Sequence, residues 1–244
     1  MSLQPFNTQL IILKVKQTQA TDKLLVCYSR EHGKLLVMAY GVARAKNMYN
    51  ALLQPFNNLE MLLFPNKKIY TFKQGELIGP RLPDADFEFL TYASILTELV
   101  EEFTVEGQAD EPIYDLLTQC LQLLTVRNKR LVTIIFSIKL LGYVGLAPLY
   151  NNCIACNKTL TEDAYFSALK GGAVCEACKV TEELPFDYET QVLMEKFTKL
   201  DLSTKIEFSI KGKQLLQLEY VIQQLFYLHL DKPLKSLQFL SKLH

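Results

Sequence analysis

The 244-residue sequence has no net charge: 26 Lys and Arg stand against 26 Asp and Glu. That balance excludes a uniformly basic nucleic-acid binder, although not a local basic patch. No apolar run approaches the ~18 residues that a membrane span needs. The most apolar stretch, Leu131–Leu141, already contains Thr133, Ser137 and Lys139. The first residues, MSLQPFNTQLIILK, lack a basic segment followed by an apolar one and a small-residue cleavage site. The chain is therefore expected to be cytoplasmic, with no membrane partner, and its six cysteines to stay out of disulfides. Histidine is scarce. His32 falls in a predicted turn, His229 near a helix end, and His244 is last. The motifs G-x-S-x-G, G-x-x-x-x-G-K-[ST] and G-x-G-x-x-G are all absent. A protein that is not an enzyme is the expectation, with an unrecognised enzyme kept as a lesser alternative. There is no internal repeat and no low-complexity segment.

What is present is a globular composition, 49% apolar and 21% charged, long enough for one large domain or two smaller ones. The zero net charge hides a split. Residues 1–80 hold eight Lys and two Arg against four acids, a net of +6, whereas residues 81–152 hold five basic and ten acidic residues, a net of −5. If any segment faces a polyanion, it is the first. Solvated turn lysines are the structural alternative.

The first 80 residues read as β. Leu10–Lys16, Leu24–Ser29, Leu35–Tyr40, Leu59–Phe64 and Ile69–Gln74 are short apolar runs separated by turn signals. Five short strands in this span suggest a small barrel or sandwich. Gly79-Pro80-Arg81-Leu82-Pro83 breaks the pattern. Helical spacing follows: Phe87, Leu90, Ala93, Leu96, Val100 and Phe103 recur at intervals of three and four, as do Ile113, Leu116, Leu117, Cys120, Leu121 and Leu124. Asp110 and Glu111 before Pro112 make a helix start. Leu131–Leu141, apolar on nearly every face, is expected to be a buried helix ended by Gly142, Gly145 and Pro148. Helical spacing resumes after Pro185. The domains expected are 1–80, 81–149 (helical, first part), 150–180 (cysteine module) and 181–244 (helical, second part).

Cys153-x-x-Cys156 and Cys175-x-x-Cys178 are separated by 18 residues. This falls within the window of about 15–20 residues for a four-cysteine zinc site. Each pair lets two thiolates of one turn reach a single ion, and two turns complete a tetrahedron with Zn–S of about 2.3 Å. Four thiolates leave no open position, so such a zinc is structural. A redox dithiol would be expected in a strand-to-helix context that is absent here. Cys27 and Cys120 lie in apolar runs and read as small core residues.

Four segments carry a resemblance. The first contains Gly33-Lys34, Met38-Ala39-Tyr40-Gly41-Val42-Ala43-Arg44 and Leu53-Gln54-Pro55-Phe56. The second runs from Leu140-Leu141-Gly142-Tyr143 into Cys153-Ile154-Ala155-Cys156. The third is Tyr165-Phe166-Ser167, then Gly171-Gly172, into Cys175-Glu176-Ala177-Cys178. The fourth is Leu234-Lys235-Ser236-Leu237-Gln238-Phe239-Leu240. In this order they resemble the bacterial RecO recombination and repair family over nearly the whole chain. The resemblance implies an α+β protein: an N-terminal OB-fold barrel, then a helical domain with an inserted four-cysteine zinc ribbon. It also implies a non-enzymatic mediator that binds single- and double-stranded DNA and anneals complementary strands. With RecR as a partner, such a mediator helps RecA load on strands coated by single-strand-binding protein (SSB), whose C-terminal tail some members bind. The segment Arg44-Ala45-Lys46-Asn47-Met48-Tyr49-Asn50 is poorer in Arg and Lys than the family's corresponding stretch often is.

An OB barrel holds a strand with cations for phosphates and aromatics for bases. The candidate DNA contacts are Lys23, Arg30, Lys34, Arg44, Lys46, Lys67 and Lys68, with Tyr28, Tyr40, Tyr49 and Tyr70 interleaved. Lys34, Arg44 and Lys46 are the leading phosphate contacts. Tyr49 is the leading stacking candidate because its neighbours are polar. Core packing is the competing role for each tyrosine. Arg127, Lys129 and Arg130 form a second basic cluster, a weaker candidate for an SSB-tail pocket. A zinc-ribbon adaptor that works mainly through protein contacts is the alternative function.

Overall fold

The computed structural model describes residues 4–18, 20–44, 46–80, 82, 86–180, 183–204 and 210–240, with side chains as far as residue 237. Arg81 and Pro83 of the expected boundary, and His244, lie outside these residues. The chain forms two compact units: one runs to Lys129 and takes the chain back from Ser236, and the other spans Arg130–Lys235.

The first unit begins with a closed barrel of β1 (Phe6–Gln17), β2 (Lys23–Ser29), β3 (Gly33–Ala39), β4 (Asn58–Phe64) and β5 (Tyr70–Leu77), in the order β1-β2-β3-β5-β4. These are the five strands expected from sequence, in an OB arrangement. The long β1 closes the barrel. It pairs with β4 over Phe6–Ile11 and with β2 over Leu10–Gln17, and the β2 ladder carries a bulge between Ile12 and Lys14 that bends the strand. On the other side β3 and β5 meet in parallel, Val37 opposite Tyr70 and Met38 opposite Thr71. Period-two alternation decides what points inward. Leu10, Ile12, Leu25, Cys27, Leu35, Val37, Leu59, Met61 and Leu63 fill the interior and are fully or almost fully buried. Each aliphatic side chain so buried contributes roughly 1.5–3 kcal/mol relative to exposure. A single turn, α1 (Tyr49–Leu52), lies between β3 and β4.

Two helices complete this unit, α2 (Phe87–Phe103) and α3 (Glu111–Leu123). Asp86 caps the first by accepting from the Phe89 amide at 3.1 Å. Asp110 caps the second by accepting from Ile113, with Pro112 in its first turn, as its sequence predicts. Both pack against β1. The turn between β2 and β3 meets the loop before α3 so closely that a Cβ on Gly33 would lie 2.0 Å from the Gln108 carbonyl oxygen, and Gly33 has φ +66°. Only glycine fits both conditions.

In the second unit, α4 (Lys129–Tyr143) buries Val132, Ile134, Ile135, Phe136, Ile138, Leu140 and Leu141, matching the apolar run. The helix passes through Gly142 and ends at Gly145 (φ +75°), where the Leu146 amide donates back to Leu141 at 2.7 Å. A three-stranded sheet follows, order β7-β6-β8, from β6 (Ala164–Ser167), β7 (Gly172–Val174) and β8 (Leu184–Phe186). Its β6–β7 hairpin closes through Gly171 and Gly172. Helices α5 (Tyr188–Lys199) and α6 (Gly212–His229) pack together in this unit. A short α7 (Lys235–Leu240) ends the described chain. None of the described helices is long and apolar enough to cross a membrane.

Candidate nucleic-acid interface and metal centre

The strand registers bring one set of loops to one end of the barrel. Gln17 lies opposite Lys23, Lys23 opposite Ala39, Met38 opposite Thr71, and Phe64 opposite Thr71. Segments 18–22, 40–48 and 65–69 therefore open from the same rim. Their cations are Arg44, Lys46, Lys67 and Lys68, and their only acid is Asp22. All four cations are exposed, and none makes an ion pair among the described residues. Lys16, exposed at the end of β1, belongs to the same rim and is absent from the residues chosen from sequence.

The loop that carries Arg44 and Lys46 is fastened at several points. The Gly41 amide donates to Asp22 Oδ1 at 2.8 Å, and Ala43 donates to the Thr21 carbonyl at 2.9 Å. Asn47 Nδ2 donates to the Gly41 carbonyl at 3.2 Å, while its Oδ1 accepts from the Tyr49 amide at 2.9 Å. Val42 is buried in the barrel core. The cations thus project from an ordered base.

The other candidates are placed differently. Lys23 shares the inward parity of Leu25 and Cys27. It is 7% exposed, and its Nζ donates to the carbonyls of Asn50 and Leu53, both at 3.0 Å. Burial lowers its pKa. Its charge holds α1 to the barrel. Arg30 donates to Glu111 and Asp115 and lies over the Tyr114 ring, 5.6 Å from its centre; the hydrogen bond to Glu111 is the main reason its pKa is raised. Lys34 donates to the carbonyls of Glu101 (2.5 Å) and Thr104 (2.6 Å) at the end of α2. These three expected phosphate contacts are each engaged by other groups of the protein, and sequence spacing does not show it, because the partners of Arg30 and Lys34 lie some seventy residues or more along the chain and those of Lys23 are carbonyls of α1 and its C-cap.

The tyrosines divide likewise. Tyr49 sets its ring edge-on to Phe72 at 5.0 Å and packs on the barrel core. Tyr28 is fully buried, with its hydroxyl donating to the Asp110 backbone carbonyl at 3.4 Å. Burial first, then the Asp110 charge, pushes its pKa up to about 12. Tyr70 stands edge-on to Phe6 at 5.7 Å. Tyr40 alone of the four projects from the rim, 61% exposed. Tyr40 directly follows β3, and its spacing of two from the partly exposed series Lys34, Leu36 and Met38 is the sequence signal that could have found it. In the second basic cluster, Lys129 pairs with Asp86 and Glu88, and Arg130 pairs with Glu219.

The four cysteines of the ribbon converge. The Sγ atoms of Cys153, Cys156, Cys175 and Cys178 all lie within 4.8 Å of one another. Cys156 and Cys175 are 3.8 Å apart. A tetrahedral ion with four bonds of about 2.3 Å has sulfur–sulfur edges of about 3.8 Å, so the set fits a metal ion. The local fold makes this possible. In the first turn the Cys153 amide donates to Lys158, and Asn157, at φ +61°, donates back to Cys153. The second turn is a 3₁₀ helix, Glu176–Cys178. Ile154 is tied to β7 through the Ala173 carbonyl at 2.9 Å. Burial would raise the Cys153 thiol, but amides of Cys175, Cys156 and Ala155 donate to its sulfur and bring its pKa down to about 6. Such donors favour the thiolate at Cys153, whereas hydrogen bonds with Cys175 and then Cys156 push the Cys178 thiol up to about 12. Cys27 and Cys120 are fully buried in the first unit, as expected of core residues.

A family model for the N-terminal part of recombination protein O matches residues 1–81, and one for its C-terminal part matches residues 84–238. The chain is similar to the DNA repair protein RecO of Alkaliphilus metalliredigens, 31% identical over 246 residues that cover 97% of this chain and 99% of that protein. It is 30% identical to the RecO of Bacillus subtilis (96% and 92% covered) and 28% identical to that of Desulforamulus reducens (98% and 95% covered). With both halves matched in order across barrel, helices and ribbon, the chain belongs to the RecO family of DNA repair proteins.

Proposed function

We propose that the protein is a non-enzymatic recombination mediator that binds DNA at the loop rim of its barrel and anneals complementary strands. The observation that carries this reading is the rim itself, where Arg44, Lys46, Lys67 and Lys68 are exposed beside a single acid that is spent on loop bonds. Annealing requires no bond to be made. A surface that neutralises phosphates on two strands lowers their repulsion and raises their local concentration. Binding is then strongly salt-dependent and weakly sequence-dependent, for single strands and duplex alike.

In this reading the barrel is the DNA-binding domain, and the ribbon holds one structural zinc on Cys153, Cys156, Cys175 and Cys178. The zinc supplies local folding energy. RecR and the SSB tail are the proposed protein partners, and RecA loading the proposed outcome. Because Lys129 and Arg130 are already paired with acids, the basic cluster around them is not offered as the SSB pocket.

The test is fluorescence anisotropy of a labelled oligothymidine titrated at several salt concentrations. If four rim cations each meet one phosphate of a single strand, log affinity falls against log salt with a slope of about −3. No binding even at low salt would move the function to protein contacts alone, the adaptor alternative.

A further inference from the structure

The rim holds an exposed aromatic that the phosphate contacts do not use. Tyr40 is 61% exposed and Met48, at the other end of the same loop, 79% exposed. Large apolar side chains in water are unremarkable on slack loops, but this loop is fastened by the bonds of Gly41, Ala43 and Asn47. Tyr40 follows the end of β3, two residues beyond Met38, and Met38 lies laterally beside Leu24, which in turn faces Lys16 on β1. The guanidinium carbon of Arg44 comes within 3.9 Å of where a Cβ on Gly41 would stand, so this cation folds over the residue next to Tyr40. Lys46 follows on the same loop.

An exposed tyrosine at the start of a loop fastened through Gly41 and Ala43, with Arg44 folded over Gly41, offers the two chemistries that one unpaired nucleotide needs, for a base and for a phosphate. Duplex offers the phosphate without the face, because its bases are stacked on each other. We infer that Tyr40 is a stacking platform for unpaired nucleobases and that it makes this rim favour single strands. The inference rests on the DNA-binding reading above and adds to it the class of strand and the residue that selects it.

The chain has no tryptophan and twelve tyrosines, so Tyr40→Trp would give it a single tryptophan reporter that can be excited selectively. Three probes of equal length separate the contributions: labelled oligothymidine, an abasic deoxyribose-phosphate strand, and duplex DNA. Tyr40→Ala is expected to weaken oligothymidine binding about tenfold, leaving the abasic strand and the duplex within about twofold and the salt slope unchanged. Tyr40→Trp is expected to keep affinity for oligothymidine and to be quenched by that strand but not by the abasic one. An unchanged oligothymidine affinity in Tyr40→Ala, or an equal loss on the abasic strand, would overturn the inference while leaving the rim as a phosphate site. If the unaltered protein binds none of the probes, or if Arg44→Glu with Lys46→Glu leaves their affinities as they were, the underlying reading fails and the stacking role goes with it.

Discussion

Lys34 reaches from β3 to the last turn of α2, where its ammonium donates to the Thr104 carbonyl oxygen at 2.6 Å. The Glu101 carbonyl accepts from the same nitrogen at 2.5 Å. The last carbonyls of a helix lack amide partners, and the helix end carries partial negative charge. A lysine there satisfies both, and in doing so it ties a barrel strand to the helix beside it.

Lys34→Met is therefore expected to lower stability by about 1–2 kcal/mol, read as an earlier denaturation midpoint, while DNA affinity stays within about twofold. A large affinity loss with unchanged stability would return Lys34 to the phosphate contacts.

Lys23 makes a parallel case. Lys23→Ala leaves the Asn50 and Leu53 carbonyls without their donor, and a loss of about 1–3 kcal/mol is expected in chemical denaturation. Rim affinity measured on the folded fraction should be unaltered.

The rim cations are expected to behave in the opposite way. Replacing Arg44, Lys46, Lys67 and Lys68 together by Glu should leave melting within a few degrees and abolish measurable oligothymidine binding near physiological salt. Single replacements should each make the salt slope shallower by about 0.7. Slopes that do not change would show that these side chains meet no phosphate.

Metal content distinguishes the cysteines. Elemental analysis of the purified protein is expected to give one zinc per chain, and Cys153→Ser to release it and lower the melting temperature. Cys120→Ser should keep the metal. A metal-free protein whose melting is indifferent to chelator would refute the site.

Acid should weaken the second unit through Asp187. The Lys213 ammonium, 2.6 Å away, is the chief reason its carboxyl lies below the usual carboxylate range. The folded pKa is thus lower than the unfolded one. The pair's contribution is present above the ordinary aspartate range, near about 4, and disappears as pH falls through the folded value. The difference in melting between the protein and Asp187→Asn should be seen at neutral pH and shrink below that range. A difference independent of pH would assign the effect to packing.

Much of this was legible from local pattern. Short apolar runs between turn signals marked the five strands, spacing of three and four marked the main helices, and two C-x-x-C turns at the right separation marked the cysteine cluster that fits a metal ion. What sequence could not show was direction and distance. A lysine at the first residue of a strand can point either way, and only pairing with Ala39 puts Lys23 inside. Arg30 and Lys34 look solvent-facing until Glu111 and Thr104, far along the chain, arrive beside them. Tyr49 has polar neighbours in sequence and Phe72 in space. Short elements were also hidden, since α1 and β8 are too brief to show a period.

The return of the chain to its first unit sets an order of events during synthesis. The Ser236 amide donates to Glu98 Oε2 at 2.8 Å, within that unit. The ribosome releases the barrel strands early, and domains usually fold in the order in which they emerge. Here the unit begun first is finished last. The bond from Ser236 to Glu98 on α2 cannot form until the whole of Arg130–Lys235 has been translated, and a nascent chain stalled short of residue 236 would carry a first unit that lacks this link.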